Sequence, residues 1–138
     1  MASVEARVSA LFVFALLLVA VPTAAATATT ATPRVVFRAT THTPKVNARW
    51  PWSIVVTTPA GRLLPATVSV TIVDPIGGVH PVEYGCCKGK FITDVTTRGR
   101  FADYVQYPPT AKAYRLTFRV MVKTRLGSRV VNYWIKAR

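Results

Sequence analysis

From Tyr114 to Lys123 the chain alternates without a break, with Tyr114, Leu116, Phe118, Val120 and Val122 on one set of positions and Arg115, Thr117, Arg119, Met121 and Lys123 on the other. A period of two is that of an extended strand with one dry face and one wet face. The wet face is mostly basic. Ala66, Val68, Val70 and Ile72 repeat the pattern against Thr67, Ser69, Thr71 and Val73. Dry faces of this kind must be buried against another layer, so two half-buried sheets are expected to face each other.

Elsewhere, short segments rich in Val, Ile, Thr, Tyr and Phe are separated by Pro and Gly, the pattern of strands and turns. The predicted strands are Arg34–Ala39, Trp52–Thr58, Ala66–Val73, Phe91–Val95, Arg100–Tyr107, Tyr114–Thr124 and Arg129–Lys136. No helical period of comparable length occurs. Leu126-Gly127-Ser128 predicts a tight hairpin joining the last two strands. Thr58-Pro59-Ala60-Gly61 places Pro where φ near −65° is wanted and Gly at the last position of a type I turn, which predicts that the second and third strands are neighbours.

The first 26 residues read differently. Glu5 and Arg7 precede an apolar run from Ala10 to Val21, broken by Pro22 and closed by Ala24-Ala25-Ala26. A polar start, a short apolar segment and small residues at a cleavage position are the parts of a secretory signal peptide. The same run left uncleaved would be an N-terminal anchor, although it is shorter than the roughly 20 apolar residues of a spanning helix. Expected organisation is therefore a signal peptide over 1–26, a Thr/Ala leader over 27–33 and one domain over 34–138, working in a secreted or extracytoplasmic setting. A domain of that length falls within the commonest range and can bury a core without disulfide scaffolding.

Eighteen Lys and Arg stand against five Asp and Glu, a net charge of +13. Such a field draws polyanions, and for an exported protein these include anionic wall polymers, phospholipid head groups and acidic polysaccharides. The same charge also serves solubility. Anionic envelope polymers or another envelope protein are the expected partners; nucleic acid is not, a membrane enters only through an uncleaved signal segment, and the oligomeric state stays open.

The least generic stretch is Asp74 to Phe91 (DPIGGVHPVEYGCCKGKF). Long loops inside compact domains are uncommon and often functional. In an oxidising compartment the adjacent Cys86 and Cys87 could close a strained vicinal disulfide, pair with another chain, or stay free or metal-bound. Candidate binding residues are His80, Tyr84, Cys86, Cys87, Lys88 and Lys90 in this loop, joined by Arg115, Arg119 and Lys123 on the basic strand face.

Cys86, Cys87, His80, His42 and Met121 are the side chains from which a soft-metal site could be built, with Cu(I) or Zn as the ions. Their spacing matches no familiar tetrahedral pattern, and no metal or other cofactor is assigned. Catalysis is also not expected. Beyond the signal the chain carries Asp74, Glu83, Asp94 and Asp103 as acids, two His, and Ser53, Ser69 and Ser128, with no Gly-x-Ser-x-Gly elbow and no phosphate-cradling Gly motif. Asp74 before Pro75 reads as a strand-ending turn residue. Among aromatics, Trp52 and Trp134 are expected to cap the core, whereas Trp50 with Tyr107 and Arg49 could form an exposed stacking surface for sugars or bases.

The segment Ile54 to Val70 (IVVTTPAGRLLPATVSV) resembles the second-to-third strand unit of bacterial immunoglobulin-like domains. Gly99-Arg100-Phe101, Pro109 and Tyr114-Arg115-Leu116-Thr117-Phe118-Arg119-Val120 are similar to the strand pair that ends such domains. The resemblance covers roughly Ile54 to Lys123 and implies an all-β, immunoglobulin-like antiparallel sandwich, with Tyr114 in a tyrosine-corner position, its ring in the core and its hydroxyl on the backbone. It implies no activity, because this architecture carries many functions. The two Cys are adjacent and the Trp residues stand at 50, 52 and 134, unlike the distant Cys pair and intervening Trp of antibody domains. The expected function is a non-catalytic binding or structural module of the cell envelope; the alternative is a redox or copper/zinc-handling protein using Cys86 and Cys87.

Overall fold

The computed structural model describes residues 31–85 and 94–138. The expected signal peptide, most of the leader, and Cys86, Cys87, Lys88 and Lys90 lie outside the described residues. Pro33, at the end of the expected leader, is fully buried. Thr32 beside it accepts a 3.3 Å hydrogen bond from the Arg129 guanidinium.

The described chain is all-β, with strands β1 (Arg34–Ala39), β2 (Arg49–Thr57), β3 (Ala66–Val73), β4 (Val79–Pro81), β5 (Asp94–Thr97), β6 (Arg100–Gln106), β7 (Leu116–Thr124) and β8 (Gly127–Ile135). They form two antiparallel sheets. One has the order β1-β2-β6; the other has the order β4-β3-β7-β8, with β5 also paired to β3. β5 takes Ala66–Ser69 of β3 and β4 takes Thr71–Val73, so both lie on the same edge of β3.

Period-two alternation puts Trp50, Trp52, Ile54 and Val56 of β2 against Val68 and Val70 of β3 and Leu116, Phe118, Val120 and Val122 of β7, all buried. The two sheets thus share one core. Phe118 lies at its aromatic centre, with ring centroids 5.1 Å from Trp50, 5.3 Å from Trp52 and 5.7 Å from Phe37.

The predicted hairpin is present: Thr124 pairs with Gly127, and Gly127 takes φ 110°, which suits a residue without Cβ. Thr124 Oγ1 donates to the Gly127 carbonyl and accepts from the Leu126 amide, bracing the two-residue connection.

The second-to-third strand prediction is corrected. The turn at Thr58–Gly61 forms, with the Gly61 amide on the Thr58 carbonyl at 2.9 Å, but β2 and β3 belong to opposite sheets. After the turn the chain returns only as far as the Thr57–Leu63 bridge. Leu64 is then buried, and its burial carries the chain across the core to start β3. Short β4, inside the expected loop, is an added element. The predicted strand from Tyr114 starts at Leu116, because Pro109–Ala113 forms a 3₁₀ turn whose exit leaves Tyr114 at 56% exposure. The expected core position of Tyr114 is therefore wrong.

Candidate binding surfaces

Of the two outer sheet faces, the sequence singled out the one built on β7. There Arg119 and Lys123 occupy one side of β7, and Arg115 stands just before its first residue. The Arg115 guanidinium lies 4.6 Å from the Trp134 ring centroid. Arg119 Nε donates to Asn132 Oδ1 at 3.2 Å across the β7–β8 pair. Trp134 is 41% exposed, so it is no core cap; its ring stacks on His42 at 4.1 Å, and His42 Nδ1 donates to the Trp134 carbonyl at 2.7 Å. Trp134 ends on the outer face because Ile135, one position along β8, takes the inward direction and is fully buried.

The opposite face, on β1-β2-β6, carries a feature that sequence reasoning missed. Arg38 of β1 and Arg100 of β6 flank a shallow groove of about 670 Å³ whose floor includes Ser53 and Val55 of β2. Pairing explains the arrangement: Ser53 is opposite Arg38, and Val55 is opposite Arg100, so the two arginines sit diagonally across the central strand. Arg49 on the same sheet lies over Tyr104 at 4.6 Å. The alternation Arg34, Val36, Arg38 was a legible signal for a basic face, but Arg100 joins it only through strand pairing.

In the Asp74–Phe91 stretch, His80 lies on β4, exposed, with Nε2 donating to Asp74 Oδ2 at 2.9 Å. Asp74 also accepts from the amides of Ile76 at 3.0 Å and Gly78 at 2.7 Å, the turn role expected of it. The His80 hydrogen bond, joined by these amides and opposed by desolvation, holds the Asp74 carboxyl below its ordinary value.

Tyr84 is not a surface binding residue. It is 1% exposed, its ring packs edge-on to Phe101 at 6.0 Å, and its hydroxyl accepts from the Val70 amide at 3.1 Å. Trp50 and Tyr107 are likewise buried, edge to face at 5.7 Å, which removes the expected exposed stacking surface. Their inward positions follow from the β2 alternation and from the burial of the connection after β6.

The soft-metal candidates inside the described residues are dispersed. His42 stacks beside β8 and His80 lies on β4, at opposite edges of one sheet, while Met121 occupies the middle strand β7. Among the described residues no group of three or more His, Cys, Asp or Glu could hold a metal ion. Among them, too, no helix is long and apolar enough to cross a membrane.

Comparison of the chain with protein-family models, with curated proteins and with solved structures found no match. The surfaces themselves therefore carry the functional argument. Among the described residues an ion pair forms between His80 and Asp74 at 2.9 Å.

Proposed function

We propose that this chain is an extracytoplasmic, non-catalytic binding module, an immunoglobulin-like sandwich whose basic outer faces contact anionic polymers of the cell envelope. The observation that carries this reading is the groove on the β1-β2-β6 face, whose lining includes Arg38, Arg100 and Ser53 and no acidic residue. Two guanidinium groups and a hydroxyl suit phosphate or carboxylate oxygens, because planar N–H forks match both anions. The column Arg115, Arg119 and Lys123 gives the other face the same sign. Export of the module rests on the Ala10–Val21 run and the Ala24-Ala25-Ala26 closure.

Strand order supports the immunoglobulin-like part. A three-strand sheet of first, second and sixth strands facing a sheet centred on the third and seventh, with β4 on the β3 edge, is compatible with the Greek-key order of such sandwiches.

Sedimentation with a purified poly(glycerol phosphate) wall polymer across a salt series tests the function. Binding should weaken with salt, and Arg38→Ser with Arg100→Ser should lower the log–log slope by roughly 0.7–0.9 per lost contact, the counterion-release figure for nucleic acid phosphates. Binding equal to that of an unrelated β-sandwich of matched net charge, unchanged by these substitutions, would reject the reading.

A further inference from the structure

We propose that the free edge of β8 binds an extended acidic peptide as an added strand. In the sheet order β4-β3-β7-β8, β8 is the outermost strand, and among the described residues it pairs with β7 alone. A strand so placed offers a row of amide N–H and carbonyl groups to an extended chain that comes alongside. Alternation fixes which residues these are. Just past β8, the amides of Lys136 and Arg138 donate to the carbonyls of His42 and Pro44 at 2.8 and 2.9 Å, and the Trp134 carbonyl accepts from His42 Nδ1. Even-numbered positions therefore face away from β7, and the segment from His42 covers the edge from Trp134 onward. Ser128, Val130 and Asn132 continue the same parity, and among the described residues the backbone hydrogen bonds outside the strand ladders include none to them.

This edge lacks most of the devices that close one. β8 is nine residues long and pairs residue for residue with β7; it holds no Pro and no bulge, and Arg129 is its one charged side chain. The opposite edge is divided between β4 and β5, of three and four residues. Short strands, Pro, bulges and charges are the means by which natural edges avoid partners. Val130, in the middle of the open stretch, is 50% exposed, an apolar side chain against which a residue of the added strand would pack.

Charge selects the partner. On β7, Lys123 is opposite Ser128 and Arg119 is opposite Asn132; Arg125 stands in the connecting turn and Arg129 on β8 itself. Acids of the described residues lie elsewhere. Asp74 follows β3, Glu83 follows β4 and Asp94 opens β5, toward the opposite edge, and Asp103 lies on β6 of the other sheet. An acidic strand added about 4.8 Å from β8 is drawn by four basic residues. A second copy of this chain, of net charge +13, would set the same four against them. The site recognises a polypeptide backbone, so it is distinct from the groove beside Arg38 and Arg100 and does not depend on the polymer reading.

Amide hydrogen exchange of the ¹⁵N-labelled protein with acetyl-Glu-Val-Glu-Val-Glu-Val-Glu-amide, and with the same peptide carrying Lys for Glu, tests the proposal. With about nine-tenths of the protein bound to the acidic peptide, the Val130 and Asn132 amides should exchange about tenfold more slowly, and the basic peptide should protect neither. Val130→Pro removes an N–H that does not face β7 and should weaken the acidic peptide about tenfold; Val130→Thr, which keeps it, should stay within about twofold. Arg38→Ser with Arg100→Ser, on the other sheet, should also stay within about twofold at about 0.15 M salt, whereas a larger loss would move the binding to the groove and overturn the proposal. Binding without protection of these amides, equal protection by the basic peptide, or an affinity unchanged in Val130→Pro would each overturn it too. So would protection present before any peptide is added, which would give the edge to another part of this chain or, where it rises with protein concentration, to a second copy.

Discussion

Tyr84 and Tyr114 exchange the roles that local sequence suggests for them. Tyr114 opens a strongly alternating segment, yet the preceding 3₁₀ turn directs it to solvent. Tyr84, in a Gly- and Pro-rich stretch, performs the backbone-bonding task. Its hydroxyl accepts from the amide of Val70, the one β3 residue between the stretches claimed by β5 and β4, and faces the Val68 carbonyl at 3.4 Å. Removing it strands a buried N–H. Tyr84→Phe is expected to cost about 1–3 kcal/mol, the penalty of an unsatisfied buried donor, read as a lower midpoint in urea unfolding. Asp74 makes a pH prediction at the same scale. Its folded pKa lies below the 3.8 of an ordinary Asp carboxyl, so the stability it contributes is present above that value and is lost as pH falls through the lower, folded one. The melting-temperature difference between the native protein and Asp74→Asn should be constant near neutrality and shrink in acid below pH 3.8.

At the scale of elements, strands were legible where alternation ran long. β1 and β3 have the limits expected of them, and β7, apart from its first two positions, does too. The β7–β8 hairpin was legible because Gly127 lies next to the end of a long alternating run. Pairing across the core was not legible. The Thr58–Gly61 turn has hairpin chemistry, but a turn only reverses the chain; which strand comes alongside is decided by where Leu64 and Ala66 find apolar surface. The β5–β6 connection gives a test of turn geometry. Gly99 has φ 104°, and a Cβ there would stand 2.9 Å from the Leu64 amide nitrogen and 3.1 Å from its carbonyl oxygen. Gly99→Ala combines a conformation costing about 1–3 kcal/mol for other residues with a clash against backbone, so a melting-point loss of several degrees is expected. Gly61→Ala, with φ 81° and open space around the added carbon, should lose less.

On the scale of the whole molecule, one aromatic centre joins the two sheets. Phe118 reaches Trp50, Trp52 and Phe37 from the opposite layer. Phe118→Ala should cost about 3–5 kcal/mol through lost transfer energy and the cavity left behind, measured by denaturant unfolding; that is a large share of the 5–15 kcal/mol typical of a domain. Of the candidate binding residues, Arg115, Arg119 and Lys123 were legible because period two alone places them on one outer face. Arg38 with Arg100 were not, since they stand on two strands with a third between them, and the open edge of β8 was not, since sheet order decides which strand lies outermost. The sequence by itself determined the all-β class, the strands of long alternation, the last hairpin and the basic sign of the surface, all of which depend on side-chain period, turn chemistry and charge count. Only the tertiary structure decided sheet membership, the burial of Trp50, Tyr84 and Tyr107, and the exposure of Trp134 and Tyr114, because each depends on which distant strand supplies the facing apolar surface.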